Sequence, residues 1–169
     1  MKDIQKRIPY LKELGITFIH LMPVFETPSG ETDGGYAVSS YRDVDSRFGT
    51  MSDLRELTQV LDQNGISLVL DFILNHTSDQ HEWAKKAKEG DPKYQNYYYI
   101  FDNRKQVDEY APHLRDIFPE VRKGSFTFDE TMRKWVWTTF NSYQWDLNYN
   151  NPSVFHKMMC EMFFLAEAG

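Results

Sequence analysis

The amino-acid sequence predicts an α/β fold, with helices packed on a sheet of parallel strands. Two nearly continuous apolar runs, at residues 16–23 and 66–76, are typical of strands that helices cover on both faces. Each run follows a glycine that ends a helical pattern, in the stretches ELG-ITFIHL and QNG-ISLVLD. The order helix, glycine and strand therefore occurs twice, and strands connected through a helix in this way are expected to be parallel.

The helices of this repeat have signals of their own. Residues 2–14 carry apolar side chains at helical spacing, and Pro9 among them predicts a kink or a restart of the helix. The second helix is expected to begin at Thr50, which forms a capping-box pattern with Asp53, and to end at residues 64–65.

Long connections follow the two strands, whereas short ones precede them. Residues 24–49 form the first long connection, and the second begins after His76. This is the layout of the working face of a (β/α)8 barrel, where loops at the carboxyl ends of the strands carry the functional side chains. Asp71 interrupts the second apolar run, and Asn75 and His76 end it, so these two polar groups lie where a ligand site is expected.

The second half of the chain differs in composition from the first. Residues 77–151 are polar and aromatic, and alternation of aromatic residues within 125–137 predicts a β-hairpin. A helix with an apolar face is expected to begin at Pro152. About 70 residues are too many for an ordinary connection between a strand and a helix. We therefore predict three parts: a barrel portion in residues 1–76, an inserted B domain in residues 77–151 and a barrel helix in residues 152–169.

Composition excludes several classes of function. The chain of 169 residues has a formal net charge of −6 and no basic run of the kind that binds nucleic acid or an anionic membrane. No apolar segment approaches the ~20 residues of a membrane span. Cys160 is the single cysteine, so neither a disulfide framework nor a cysteine metal cluster is expected.

Four motifs occur in one order along the chain: GITFIHLMP, DGGYAV, DFILNH and QWDLNY. They resemble, in turn, the second barrel strand, a substrate-binding loop, the third barrel strand and the end of the inserted B domain of glycoside hydrolase family 13, the α-amylase family. The resemblance covers essentially the whole chain and implies a partial (β/α)8 barrel, an α/β fold with an inserted B domain.

The same resemblance implies what this chain does not contain. The nucleophilic aspartate of the family lies on the fourth barrel strand, and its acid/base glutamate and third carboxylate follow later. No catalytic residue is therefore expected in this chain. Because ~250 residues are typical of a whole barrel, we expect a fragment truncated at both ends.

Within the family, the stretches YQNYYYIF, LRDIFPEVRKGSFTF and WVWTTFNSYQWDLNY resemble amylosucrase. The resemblance implies a parent enzyme that takes glucose from sucrose, builds α-1,4-glucan and releases fructose, with the fragment itself inactive. It also implies small carbohydrates, sucrose or α-glucan, as partners and neither a metal nor another cofactor. Other readings stay open: a sucrose hydrolase, a trehalose synthase, an α-glucosidase, or a non-catalytic protein on the same scaffold.

Three residues are the main candidates for substrate binding. The resemblance implies that Asp33 binds hydroxyls of the glucosyl unit, that Tyr36 stacks on its ring, and that His76 bonds to its primary hydroxyl. An aromatic face suits the C–H face of a sugar, and a carboxylate accepts hydrogen bonds from its hydroxyls. Asp-Gly-Gly is also common turn chemistry, and a histidine at a strand end is also a structural cap.

Arg115, Phe118 and Phe140 are further candidates, because they match amylosucrase positions that line the sucrose pocket. Aromatic residues in such a segment also serve as core residues. Asp71 and Asn75 are interpreted as structural, with Asn75 connecting the B domain to the strand. Because a truncated barrel leaves open strand edges and an uncovered sheet face, we also expect the isolated chain to self-associate.

Overall fold

The computed structural model describes residues 1–169, and two parallel strands organise its first half. In chain order the helices are α1 (Lys2–Glu13), α2 (Met51–Gln63), α3 (Glu82–Lys88), α4 (Pro92–Gln95), α5 (Arg104–Tyr110) and α6 (Pro152–Glu167). The strands are β1 (Phe18–Leu21), β2 (Phe25–Glu26), β3 (Ser40–Val44), β4 (Ser67–Leu70), β5 (His76–Ser78), β6 (Ile100–Phe101), β7 (Phe126–Asp129), β8 (Lys134–Trp137) and β9 (Gln144–Asp146).

Strands β1 and β4 are parallel neighbours, with Phe18 opposite Ser67 and Leu21 opposite Leu70. Helix α2 connects them, and α1 packs beside α2. Four buried aliphatic residues form the small core between these helices and the strands: Ile8, Leu57, Leu61 and Ile66. The α/β prediction and the partial barrel are confirmed.

The prediction that both strands are buried on both faces is wrong for this chain. Exposed and half-buried residues alternate along β1 and β4, and Phe18 is 54% exposed. The reason is that α1 and α2 cover one face of the pair, while no layer of this chain covers the other face at Phe18 and Val69. The second strand is also shorter than the apolar run, since β4 ends at Leu70 and the chain pairs again only at His76.

Helix boundaries follow the local sequence signals. At the start of α2, Thr50 Oγ1 accepts from the Asp53 amide at 3.2 Å, and Asp53 Oδ2 accepts from the Thr50 amide at 2.8 Å. This is the predicted capping box, and it satisfies two amides that the helix leaves unpaired. Helix α1 continues through Pro9 instead of restarting there, and the residue before it, Ile8, is buried in the small core.

The connection after β1 is more ordered than the sequence predicted. It contains the antiparallel pair β2 and β3, and the short 3-10 turn Asp33–Gly35 lies between them. Phe25 and Tyr41 of this pair are buried, with ring centroids 5.6 Å apart. The pair is short and contains a register shift, which explains why no long alternation marks it in the sequence.

Residues 77–151 are arranged on two small antiparallel sheets. Strand β5 pairs with β9, and β6, β8 and β7 form a three-stranded sheet. The predicted hairpin is confirmed, with Phe126 opposite Trp137 and Phe128 opposite Trp135. Helix α5 was not predicted; Asn103 caps it by accepting from the Gln106 amide at 3.1 Å.

The main core connects this segment to the rest of the chain. It contains 14 buried residues, contributed by β2, residues 38–41, the segment after β4, the region 83–147 and α6, with Phe25, Ile73, Tyr97, Trp145 and Val154 among them. The helices do not include one long and apolar enough to span a bilayer.

Candidate functional site

A tight turn presents Asp33 and Tyr36 near the carboxyl ends of the strands. Asp33 has a φ of 49° and Gly35 a φ of 110°. Asp tolerates this left-handed backbone better than most residues, whereas Gly35 is required by its surroundings. A Cβ at Gly35 would lie 3.0 Å from the carbonyl oxygen of Pro23, at the end of the β1 segment. The turn is therefore packed directly against the strand connection.

Tyr36 connects this turn to the segment after β4. Its hydroxyl donates to Asp71 Oδ2 at 2.8 Å. This bond and the nearby carboxylate raise the pKa of Tyr36, so the hydroxyl stays protonated. The prediction that Asp71 is a structural hydrogen-bonding acid is consistent with this contact, and the side chain of Tyr36 is held in one position beside the strand end.

His76 lies next to the backbone of Tyr36. Its Nε2 is 3.1 Å from the Tyr36 carbonyl oxygen, and its Nδ1 is 3.3 Å from the Asn75 side-chain amide. A carbonyl only accepts and an amide N–H donates, so Nε2 carries the proton and Nδ1 accepts. Burial lowers the pKa of His76 to about 4, and the imidazole is neutral near pH 7. Both ring nitrogens have protein partners, so His76 fixes the backbone of Tyr36.

Gln144 connects Asp33 to the sheet that β5 and β9 form. Its Nε2 donates to Asp33 Oδ2 at 3.0 Å, and its Oε1 accepts from the amide of Asn141 at 2.9 Å. Gln144 is fully buried on β9, opposite Ser78 on β5. Asp33 itself is exposed. One face of the Asp33 carboxylate is thus oriented by a rigid amide while the side chain stays accessible.

A buried carboxylate connects the strand segment to residues 139–146. Asp146 Oδ1 accepts from Asn75 Nδ2 at 2.9 Å, and the Thr139 hydroxyl and amide donate to Asp146 at 2.7 and 2.6 Å. Burial raises the pKa of Asp146, while these donors oppose the rise. The interpretation of Asn75 as a structural tie agrees with this geometry.

Phe140 and Phe118 continue a line of aromatic rings that begins at His76, and Arg115 precedes Phe118 by three residues. The rings of His76 and Phe140 are 5.3 Å apart, and those of Phe140 and Phe118 are 6.1 Å apart. Phe118 and Arg115 are exposed, and the side chain of Arg115 has no hydrogen bond or ion pair within the chain. The structure therefore brings Asp33, Tyr36, His76 and Phe140 together and places Phe118 beside Phe140, but it connects Arg115 to none of them by a hydrogen bond or an ion pair.

Sequence reasoning missed two residues of this region. Gln144 is one, and Arg122 is the other: its guanidinium donates to the carbonyl oxygens of Thr138 and Phe140 at 2.7 and 3.1 Å. Gln144 lies within the quoted stretch WVWTTFNSYQWDLNY, so its motif offered a signal. Arg122 lies within LRDIFPEVRKGSFTF, but two backbone carbonyls and two threonine hydroxyls form no pattern that would single it out.

The arrangement is suited to binding a polar ring and not to acid–base chemistry. It combines one exposed carboxylate, one oriented tyrosine and neutral aromatic groups. The side chains of the chain include no group of three or more His, Cys, Asp or Glu placed to hold a metal ion. A cavity of about 640 Å³ is lined by polar side chains such as Glu26 and Glu82 and includes none of the six candidates.

The fold and this arrangement define a partial (β/α)8 barrel with polar and aromatic side chains collected at the carboxyl ends of its strands. The family described as "Alpha amylase, catalytic domain" matches residues 1–169. The chain belongs to this family, glycoside hydrolase family 13.

Named relatives agree with this assignment. The chain is 34% identical over 170 residues to the trehalose synthase/amylase TreS of Mycolicibacterium smegmatis, covering 100% of this chain and 28% of the relative. It superposes with a TM-score of 0.87 on the trehalose-6-phosphate hydrolase of Bacillus licheniformis, at 29% identity, covering 99% of this chain and 29% of that one.

A third relative is a variant of the trehalulose synthase MutB in complex with its substrate sucrose, with a TM-score of 0.85, 31% identity and coverage of 98% and 29%. The chain thus spans less than a third of the length of these relatives. The three relatives are described as a trehalose synthase/amylase, a trehalose-6-phosphate hydrolase and a trehalulose synthase, and none of the three is an amylosucrase.

Proposed function

We propose that the chain is the substrate-binding part of a retaining α-glucosyl-transferring enzyme that uses sucrose, as amylosucrase does. Asp33 and Tyr36 bind the glucosyl ring, with His76 beneath them, and Arg115, Phe118 and Phe140 line the adjoining part of the pocket. In this proposal residues 77–151 are the inserted B domain, and residues 1–76 and 152–169 belong to the barrel.

The observation that carries the proposal is the convergence of Asp33, Tyr36 and His76. They come from separate segments, yet His76 contacts the Tyr36 carbonyl at 3.1 Å and Gln144 holds Asp33 on the sheet next to His76. A neutral histidine, a tyrosine hydroxyl tied to Asp71 and an accessible carboxylate form a surface for a neutral, hydroxyl-rich ring. An anionic ligand would be repelled by the Asp33 carboxylate.

Two facts support sucrose in particular. The stretches at residues 94–101, 114–128 and 135–149 resemble amylosucrase, and a structural relative binds sucrose as its substrate. The aromatic line from His76 to Phe118 also extends the site beyond one sugar ring.

Catalysis requires residues that the site does not include. A retaining glycosidase uses two carboxyl groups about 5–5.5 Å apart, one as nucleophile and one as acid/base. In this site the carboxylates of Asp71 and Asp146 are engaged in structural hydrogen bonds, and Asp33 is proposed to bind hydroxyls. We therefore expect the 169-residue chain to release no fructose from sucrose, and measurable fructose release by the purified chain would contradict this assignment.

Binding tests the proposal directly. Sucrose titrated into the 169-residue chain and followed by ligand-detected NMR should bind with a dissociation constant in the millimolar range, since the site lacks the rest of the pocket. Tyr36→Ala and Asp33→Ala should each weaken binding about tenfold, a loss of ~1.4 kcal/mol. Tyr10→Ala is the matched control, because Tyr10 is an exposed tyrosine of α1. Equal binding by the Tyr36 and Tyr10 variants would refute the proposed site.

A second candidate function is the conversion or hydrolysis of another α-glucoside, such as trehalose or maltose. The 34% identity to a trehalose synthase/amylase favours it. Competition between sucrose, trehalose and maltose in the same titration separates the two candidates. Preference for sucrose supports the first, whereas tighter binding of trehalose or maltose supports the second.

A further inference from the structure

One loop of the proposed site is attached to the molecule in an unusual way. Residues 114–124 carry Arg115 and Phe118, and they pack loosely: Phe118 is 46% exposed and Val121 is 76% exposed. The other hydrogen bonds of this loop are local, such as that from the Gly124 amide to Asp116 Oδ1 at 2.9 Å. Packing and local bonds therefore do little to hold it against the sheet.

Arg122 makes every hydrogen bond between this loop and the strands β7 and β8 and the residues directly after them. Its Nη1 donates to the carbonyl oxygens of Thr138 and Phe140, and its Nη2 donates to the hydroxyls of Thr127 and Thr138 at 2.9 and 2.7 Å. The four N–H groups of the two terminal nitrogens are thus all used. A planar, fixed fork of donors is the property that distinguishes arginine from lysine.

Burying the charge of this guanidinium costs free energy, so its hydrogen bonds are expected to be important for the position of the loop. Burial lowers the pKa of Arg122, and no carboxylate lies within ion-pair distance of it. The carboxylates of Asp116 and Asp146 attract this cation from beyond ion-pair distance, so its direct partners are the four neutral acceptors. One of those bonds ends at the backbone of Phe140, whose ring lies between His76 and Phe118.

We infer that Arg122 is a positioning residue of the sugar site, one that holds the loop of Arg115 and Phe118 against Phe140 and so determines the binding of the second ring of a disaccharide. This inference rests on the proposed function and deepens it. Arg122 does not contact the turn of Asp33 and Tyr36, so its effect on a single glucosyl ring should be small.

The test compares sucrose with methyl α-glucoside, which has one ring, in titrations of the 169-residue chain. Arg122→Met should weaken sucrose binding five- to tenfold and change methyl α-glucoside binding less than twofold. Arg122→Lys keeps the charge but not the fork and should weaken sucrose binding by a similar factor. Lys123→Met is the matched control, because it removes the neighbouring charge, and it should leave both ligands unaffected.

A measurement without sugar tests whether Arg122 holds residues 114–124 against β7 and β8. Trypsin should cleave after Arg115 several-fold faster in Arg122→Met than in Lys123→Met, since the loop is released from β7 and β8. Thr127→Val removes one of the four acceptors and should give a smaller increase. If Arg122→Met does not fold, Arg122→Lys and Thr127→Val decide the question.

The outcomes separate the two proposals. A wild-type chain that binds neither sugar overturns the proposed function and this inference with it. A wild-type chain that binds both sugars, with Arg122 variants that weaken both equally or neither, overturns the role of Arg122 alone. Cleavage after Arg115 at one rate in the Arg122 and Lys123 variants overturns the anchoring.

Discussion

The two cores of this chain differ in size, composition and completeness. The small core under β1 and β4 has four buried aliphatic residues, and large apolar side chains such as Phe18 and Val69 lie exposed beside it. The main core has 14 buried residues, among them six tyrosine, tryptophan and phenylalanine rings of β2–β3 and residues 77–151 that pack edge to face or tilted. The comparison teaches that the main core joins segments from the whole chain, whereas the small core lies beside a sheet face that this chain leaves bare.

The largest effect is expected from the centre of the main core. Trp145 is 2% exposed, and its ring lies 5.3 Å from that of Tyr98 in a T-shaped pair. Trp145→Ala should lower the free energy of unfolding by about 4 kcal/mol, because it removes a large buried ring and leaves a cavity. Urea denaturation gives the measurement.

Leu61→Ala in the small core is the comparison variant. It should cost about 2 kcal/mol, near the lower limit for a buried leucine, because the open neighbourhood collapses more readily. Equal losses for the two variants would show that the cores do not differ in the way described.

The buried histidines predict a pH dependence that belongs to the main core. Burial lowers the pKa of His76 and of His81 to about 4, whereas an unfolded histidine has a pKa of about 6.5. Between these values the unfolded chain binds protons that the folded chain does not, so stability is full above pH 6.5 and falls as the pH drops towards 4.

Each histidine should lower the free energy of unfolding by about 2 kcal/mol as the pH falls from 6.5 to 5. His81→Asn keeps a side chain that can accept from the Trp83 amide, as His81 Nδ1 does at 3.1 Å. Denaturation curves at several pH values should be flatter for this variant than for the wild type. An unchanged slope would contradict the assignment of a buried neutral His81.

The hydrogen bond between Asn75, which follows β4, and Asp146 on β9 should have an intermediate effect on the free energy of unfolding. Asn75→Ala removes a donor from the buried carboxylate of Asp146, which retains Thr139. We expect a loss of about 1–2 kcal/mol, in line with the cost of one lost hydrogen bond to a charged group. Asn64→Ala, which removes the Nδ2 bond to the Val60 carbonyl on α2, is the control and should cost less. A larger loss for Asn64→Ala than for Asn75→Ala would show that the bond between Asn75 and Asp146 contributes little to stability.

The smallest effect concerns association of the isolated chain. Phe163 of α6 is 60% exposed, and the open sheet face adds further apolar surface. We predict self-association that Phe163→Lys weakens about tenfold, or ~1.4 kcal/mol. Light scattering over a concentration series measures it, and a wild-type chain that stays monomeric at moderate concentration would contradict the prediction.

Local signals in the sequence were enough for much of the fold. The capping box of Thr50 and Asp53 depends on residues three apart, and the alternation around Phe126 and Trp137 fixes a hairpin through its period of two. The parallel pairing of β1 and β4 followed from the repeated order of elements. The capping box and the hairpin are specified by neighbours in the chain, and the parallel pairing is specified by the order of the elements.

Features specified by distant partners were not predicted. Helix α5 has only Val107 buried, so no apolar stripe marks it. Strand β9 pairs with β5 about 70 residues earlier, and an amide-rich stretch gives no periodicity for such a pairing. The four acceptors of Arg122 are backbone carbonyls and threonine hydroxyls, which any sequence supplies. The positions of Asp33, Tyr36 and His76 in one site followed from motif resemblance, not from periodicity.

The interleaving of the main core has a consequence for chimeric enzymes. Residues 77–151 contribute Tyr97 and Trp145, but Phe25, Ile73 and Val154 complete the same packed layer from outside that range. Transplanting this segment alone into a foreign barrel would expose one side of the layer to mismatched neighbours. A functional exchange would have to move the β2–β3 hairpin and the last helix as well.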